Sequence, residues 1–228
     1  MLIVFSGLDG AGKSTQIDLL KRAFHKKARP FRQIWTRGGY TPGFETFKNL
    51  LRGKKKKIKG TGGQGSEKST RYAKQKWKRQ LWLSFAILDL CRIYGLKLRW
   101  WKLQGEDIIC DRYIWDTLVD FRTNFPQENV DQWFLWHVLE KITPKPDAAF
   151  LLVIPPRESL KRTGGVEPAA ESLFSTRLQL YQELAKNGRW ILLDGTHPQV
   201  VIADAVHDCV FGADEVSMPP VTSVPMDK

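Results

Sequence analysis

Leu2-Ile3-Val4-Phe5-Ser6 runs straight into Gly7-Leu8-Asp9-Gly10-Ala11-Gly12-Lys13-Ser14, and that junction decides the fold. The first five residues form a short apolar run, the pattern of a strand buried on both faces. The next eight match G-x-x-x-x-G-K-[ST]. From Lys13 to His25 the apolar residues Ile17, Leu20, Ala23 and Phe24 recur at helical spacing, and Pro30 closes the unit. In a strand–loop–helix junction the glycines let backbone N–H groups turn inward around a phosphate. The helix N-terminus adds partial positive charge at the same spot. The phosphate-binding residues expected here are Gly7, Asp9, Gly10, Ala11, Gly12, Lys13, Ser14 and Thr15, with Ser14 also placed to ligate Mg²⁺.

Four further apolar runs read as strands: Gln33–Thr36, Ile108–Asp111, Ala148–Val153 and Trp190–Leu193. Helical periodicity fills the intervals, over Tyr72–Arg92, Val130–Lys141, Leu173–Lys186 and Gln199–Phe211. On Tyr72–Arg92 the residues Trp77, Leu81, Phe85 and Leu88 share one face. Strand alternating with helix predicts an α/β fold, a three-layer α/β/α sandwich on a five-stranded parallel sheet with right-handed crossovers. The expected organisation is one domain over 1–211 and a loosely ordered tail over 212–228, where Pro219, Pro220 and Pro225 interrupt any periodicity.

The 228 residues are 42% hydrophobic, enough for one sizeable core, and exclude a wholly disordered or collagen-like chain. No apolar run is long enough to span a bilayer, and no basic lead or small-residue cleavage site precedes the first strand. Cys91, Cys110 and Cys209 are odd in number and widely spaced, which fits a reduced, cytoplasmic location better than a disulfide framework. The net charge of +12 is concentrated: between Gly53 and Arg79 eleven basic residues face one acid, Glu67. That block, with its Gly-rich stretch Lys59–Ser66, reads as a flexible basic insertion over 53–79. It is a solvated loop, or through 54–79 a contact for an anionic surface, membrane or nucleic acid.

Asp111 ends a strand where a second metal-binding carboxylate is expected, and Arg112 after it puts a cation beside the phosphates. With Val4–Gln16, Thr36-Arg37-Gly38-Gly39 before Pro42, Asp111-Arg112-Tyr113, Pro146-Asp147, Val153-Ile154-Pro155-Pro156 and then Glu158, Leu160 and Arg162, the chain resembles the thymidylate kinase family of nucleoside-monophosphate kinases. The resemblance spans residues 2–211. It implies ATP as donor, Mg²⁺ held by Ser14 and Asp111, and a small-molecule phosphoryl acceptor, by family default dTMP. It implies that Arg37 and Arg112 hold the acceptor phosphate and that Asp9 faces the acceptor's sugar hydroxyl or the transfer region. Tyr113 and Asp116 complete the expected acceptor site. Lys13, Asp9, Arg112 and Arg162 are the expected catalytic set, with Arg162, and Lys161 beside it, coming from a lid over 162–172. The resemblance also implies a homodimer built on helices beside the sheet. Asp194 lies where the last strand approaches the adenine.

Several residues depart from the family pattern. Asp116 stands where the family usually has Ser, and Val119-Asp120-Phe121 replaces an Ala-Tyr-Gln trio. After Phe85-Ala86 the family's base-reading arginine is missing, and Arg92 comes about one turn late. The lid is short, with no second arginine between Thr163 and Glu171. Asp116 and Asp120, four apart on one helical face, either meet a hydroxyl-rich acceptor or are solvent-facing or paired with nearby cations. These departures keep two alternatives open: a kinase for another nucleotide or for a sugar or glycan hydroxyl, and a nucleotide-dependent binding protein. The segment Arg99-Trp100-Trp101-Lys102 suits a membrane interface or, equally, a helix end packed on the core with snorkelling cations. His25, His137, His197 and His207 show no metal-ligand spacing.

Overall fold

Strand β1 (Leu2–Gly7) is buried along its whole length, and its continuous apolar run places it at the centre of the sheet. In this computed structural model, which describes residues 1–36, 76–164, 168–186 and 190–212, four more strands join it. They are β2 (Phe31–Trp35), β3 (Asp107–Asp111), β4 (Ala148–Val153) and β5 (Ile191–Asp194). The order is β2-β3-β1-β4-β5 and every pair is parallel, with Val4 opposite Cys110 on one side and Ala149 on the other. Parallel neighbours need crossover connections, and helices supply them on both faces. The α/β sandwich read from the sequence is the observed fold.

Helices α1 (Lys13–Lys26) and α8 (Gln199–Phe211) cover one face. Ile17, Leu20 and Phe24 meet Ile202 and Val206 over Phe5 and Phe150, whose rings stack at 5.1 Å. Emptying such a ring position costs ~3–5 kcal/mol. The other face carries α2 (Lys76–Leu90), a π-helical stretch (Cys91–Leu98), α3 (Arg99–Leu103), α4 (Ile114–Asn124) and α5 (Phe134–Ile142). Leu83, Ile87, Tyr94, Leu118, Phe121 and Trp136 form the core there. Helices α6 (Pro156–Thr163) and α7 (Pro168–Ala185) close the β4 side, with Tyr181 of α7 packed against Leu8, Val119 and Leu151.

Two sequence expectations change, and the apolar face of α2 acquires a direction. The face of α2 holding Trp77, Leu81 and Leu88 points to solvent, and the buried residues are Leu83, Ala86, Ile87 and Leu90. Helicity does not stop at Arg92 but continues through the π-helical stretch to Leu103. Gly95 permits this, because a Cβ there would stand 2.8 Å from Ile142 Cδ1 of α5. The expected helix over 130–141 is divided: Val130–Gln132 is a 3₁₀ turn, and α5 begins at Phe134 after an extended Trp133. The basic insertion up to residue 75, the centre of the lid at 165–167 and the tail beyond 212 lie outside the described residues.

Candidate active site

The loop between β1 and α1 can form only because Gly7 stands at φ +130, with its Cα facing β4. A Cβ there would lie 2.3 Å from the Leu152 carbonyl oxygen. From the other side Ser159 Oγ of α6 donates to the Asp9 carbonyl at 2.5 Å, clipping the loop down. Lys13 leaves the start of α1 and folds beneath the loop, where its Nζ donates to the Gly7 and Leu8 carbonyls at 2.9 and 2.7 Å. Burial, and next the Arg112 guanidinium, lower its pKa to about 8, against the pull of Asp116, Asp9 and Asp111.

These groups front a cavity of about 450 Å³. Nine residues singled out from the sequence line it: Asp9, Gly10, Gly12, Lys13, Ser14 and Thr15 from the loop and α1, Asp111 and Arg112 from the end of β3, and Arg162 from α6. Burial holds the Asp111 carboxyl above its ordinary range, although Lys13 and Arg112 pull the other way. Arg162 reaches over the loop, its Nη1 donating to the Gly195 carbonyl at 3.0 Å and to Gly10 at 3.3 Å. Trp35, at the end of β2, also lines the cavity; its place was not legible from the sequence.

Arg112 has φ +73, a left-handed backbone that a non-glycine residue adopts at a cost of ~1–3 kcal/mol. Its N–H is tied to the Phe5 carbonyl at 2.9 Å, so the strand end over-determines the strain. The side chain turns into the cavity, donates to Asp9 and lies 3.6 Å from Asp116. Burial opposes its charge, but the neighbouring carboxylates, Asp116 foremost, keep the guanidinium protonated well beyond its ordinary range.

Asp9 also faces Arg177 of α7 at 3.8 Å, and Arg177 donates to Asp120 at 2.6 Å. The result is a row of alternating charge, Asp120–Arg177–Asp9–Arg112–Asp116, running from α4 through α7 and the loop and back into α4. Asp116 ends the row fully buried. It accepts from Ser6 Oγ at 2.5 Å, Tyr181 Oη at 2.7 Å and the Tyr113 N–H at 2.8 Å. It supports Arg112 from beneath rather than lining the cavity. Asp120 answers to the expectation of a carboxylate paired with a nearby cation. The Tyr113 side chain departs from the acceptor expectation: its phenol donates to the Pro144 carbonyl at 2.5 Å and its ring packs on Tyr94 and Trp115. Arg37 lies outside the described residues, but Thr36 before it is buried. Thr36 Oγ1 donates to the Arg112 carbonyl at 3.1 Å and takes a bond from the Tyr94 phenol at 2.6 Å.

Arg177 and Tyr181 are the functional residues that the sequence reading passed over. A signal was present: they lie four apart on α7, as Asp116 and Asp120 do on α4, and the two spacings interlock across the helix pair.

A buried loop lysine, a hydroxyl and a carboxylate from neighbouring elements, and two arginines around one cavity define a P-loop phosphotransferase site. Comparison with known proteins narrows the class. The sequence profile of the family described as Thymidylate kinase matches residues 95–206. The probable thymidylate kinase of Methanocaldococcus jannaschii is 30% identical over 213 residues, 93% of this chain and 94% of that one. The thymidylate kinase of Chlorobium chlorochromatii is 25% identical over 237 residues, 96% of each chain. The probable thymidylate kinase of Thermococcus gammatolerans is 26% identical over 205 residues, 90% of this chain and 88% of that one. The chain belongs to the thymidylate kinase family. It is an enzyme of the nucleoside-monophosphate kinase type, a transferase that takes a nucleotide acceptor.

Proposed function

We propose that this kinase moves the γ-phosphoryl group of ATP to the phosphate of dTMP, releasing ADP and dTDP. The observation that carries the reading is the convergence of the loop, Lys13, Asp111 and Arg112 on one cavity. In this reading the loop amides and the Lys13 ammonium hold the donor's phosphates. The Ser14 hydroxyl and Asp111 carboxylate are hard oxygen ligands facing the same space, the donor set Mg²⁺ prefers. When bound, Mg²⁺ neutralises charge on the donor's phosphate oxygens. Arg112 binds the acceptor phosphate and Arg162 offsets charge on the group in transit. Phosphoryl transfer asks little covalent help of the protein, and alignment plus positive charge around the equatorial oxygens is sufficient.

Asp9 has a specific part. Its side chain is 39% exposed and holds Arg112 on the cavity side, so an incoming phosphate competes with it directly. With Arg112 taken up by that phosphate, the Asp9 carboxylate can accept from the acceptor's sugar hydroxyl. Asp116 and Asp120, whose free carboxylates would have favoured a sugar acceptor, are turned inward and bonded, which supports a nucleotide acceptor.

The test is ADP release by the purified chain across a panel of nucleoside monophosphates and free sugars, with Lys13→Ala as control. Release stimulated most by dTMP and abolished in the variant is the expected result. A sugar preferred over every nucleotide, or no stimulation by any acceptor, would overturn the proposal.

A further inference from the structure

The two oxygens of the Asp9 carboxylate face different guanidinium groups. Oδ1 is in contact with Arg112 Nη2, and Oδ2 faces Arg177 Nη1 across 3.8 Å. The first contact is a hydrogen-bonded ion pair. The second is about 1 Å longer than a hydrogen bond, an attraction not yet closed into one. The two arginines also differ in what they can meet. Arg112 lines the cavity, where an acceptor phosphate reaches it, and Arg177 does not. Arg177 stands behind the loop on α7 and is 9% exposed. Its Nη2 donates to Asp120 at 2.6 Å, and its Nε is buried with no hydrogen-bond partner among the described residues. This guanidinium therefore has bonding capacity in reserve. One turn further along α7, Tyr181 packs on Leu8 and donates to Asp116 at 2.7 Å, which pins the helix to the loop.

An acceptor phosphate changes the balance around Asp9. It occupies the Arg112 guanidinium and brings negative charge beside the carboxylate. A carboxylate pressed in this way takes up a proton or swings toward water unless a cation holds it. Arg177 is placed to hold it. A small turn of the Asp9 side chain closes the 3.8 Å gap and leaves the carboxylate at the cavity wall. Asp120 fixes the plane of the Arg177 guanidinium from the far side, so Nη1 already faces Asp9. The sugar of a nucleoside monophosphate is joined to its phosphate through a single methylene. It comes to rest beside whatever holds that phosphate, and beside Arg112 that neighbour is Asp9.

We propose that Arg177 is a positioning residue of the acceptor site: it receives Asp9 when the acceptor phosphate occupies Arg112, and it presents the Asp9 carboxylate to the acceptor's sugar hydroxyl. The inference rests on the acceptor-phosphate role proposed above for Arg112. Arg177 itself touches neither phosphate nor sugar.

The experiment compares two acceptors, dTMP and its 3′-deoxy analogue, which lacks the sugar hydroxyl and keeps the phosphate and base. The enzymes are the wild type, Asp120→Asn and Asp120→Asn/Arg177→Met. The double variant leaves no Asp120 charge buried without its cation, and melting of each variant shows that it is folded at the assay temperature. A hydroxyl donated to a carboxylate should make the wild type favour dTMP roughly ten- to hundredfold in kcat/KM. Asp120→Asn keeps Arg177 opposite Asp9 and should hold that preference. The double variant should lose it, a fall of roughly tenfold or more in the ratio, with KM for MgATP at the wild-type level. A role confined to stabilising the loop gives a different pattern: KM for MgATP rises, both acceptors slow alike and the preference stays intact. That pattern overturns the proposal, and so does a wild type that treats the two acceptors equally. A wild type whose ADP release dTMP does not stimulate overturns the acceptor reading itself, and this inference with it.

Discussion

Lys13 should give this enzyme opposite pH trends in stability and in nucleotide affinity. Its pKa in the folded chain is about 8, lowered first by burial and then by Arg112, against 10.5 for a free lysine. Between those values the native chain gives up a proton that the unfolded chain keeps, so the unfolded state binds more protons and stability rises with pH. The full gap corresponds to about 3 kcal/mol. Donor binding goes the other way, because the triphosphate needs the ammonium. From pH 7.5 to 9.5 the protonated fraction of a group with pKa about 8 falls roughly 25-fold, and affinity for MgATP should fall with it. The donor's own phosphates are fully ionised throughout, their last pKa being about 6. Burial raises the Tyr94 and Tyr181 phenols well above 10 and the Cys110 thiol above its ordinary 9.0, so the native chain keeps those protons through the window. The unfolded Cys110 thiol loses its own there and opposes the stability trend, so the Lys13 contribution is read as the difference between the wild type and Lys13→Arg. Quenching of Trp35, which lines the cavity, or titration calorimetry reads the affinity, and thermal melting of the ligand-free chain reads the stability. Lys13→Arg, charged at every pH, is the control and should bind more weakly but with no such slope. Wild-type affinity that stays level over the window, or an equal slope in the arginine variant, would refute the reasoning.

Three other substitutions have defined outcomes. Asp111→Asn should raise the Mg²⁺ concentration for half-maximal activity at least tenfold, on the order of the 10–100-fold reported when a metal-site partner is removed, with little change in melting temperature; an unchanged Mg²⁺ curve counts against its role. Arg177→Met breaks a pair in which both side chains are only 11% exposed. It should cost about 3 kcal/mol and lower the melting temperature by several degrees, and adding Asp120→Asn should recover part of the loss. Gly7→Ala places a methyl 2.3 Å from the Leu152 oxygen at φ +130 and should yield little soluble protein; wild-type yield and melting would show that the loop relaxes.

The parts of this molecule that are legible in the sequence are those where one residue type has one physical use. A parallel strand buried on both faces has to be continuously apolar, so Leu2–Ser6 and Ala148–Val153 show themselves. Gly7, Gly12, Lys13 and Ser14 sit at fixed offsets because the phosphate geometry is fixed. The α2 rod was harder to read because both of its faces are apolar, and spacing alone does not say which turns inward. The choice is made by non-local contacts: Tyr94 bonded to Thr36 at the end of β2, and Gly95 against Ile142 of α5. Arg177 and Tyr181 stayed hidden for a related reason. Each is an ordinary residue on an ordinary helix until α7 is laid against α4, and only then do Asp116 and Asp120 acquire their partners. The same packing turns Tyr113 away from the cavity and onto Pro144.

In the row from Asp120 to Asp116 each guanidinium is shared by two carboxylates, and Asp9 by two guanidinium groups. A change of sign at any of the three inner members therefore disturbs two neighbours at once, and a change at either end disturbs a guanidinium that itself touches Asp9 of the catalytic loop. Acceptor preference in this lineage has to drift through compensating pairs, and engineering it one residue at a time will tend to lose the fold before it gains a new substrate.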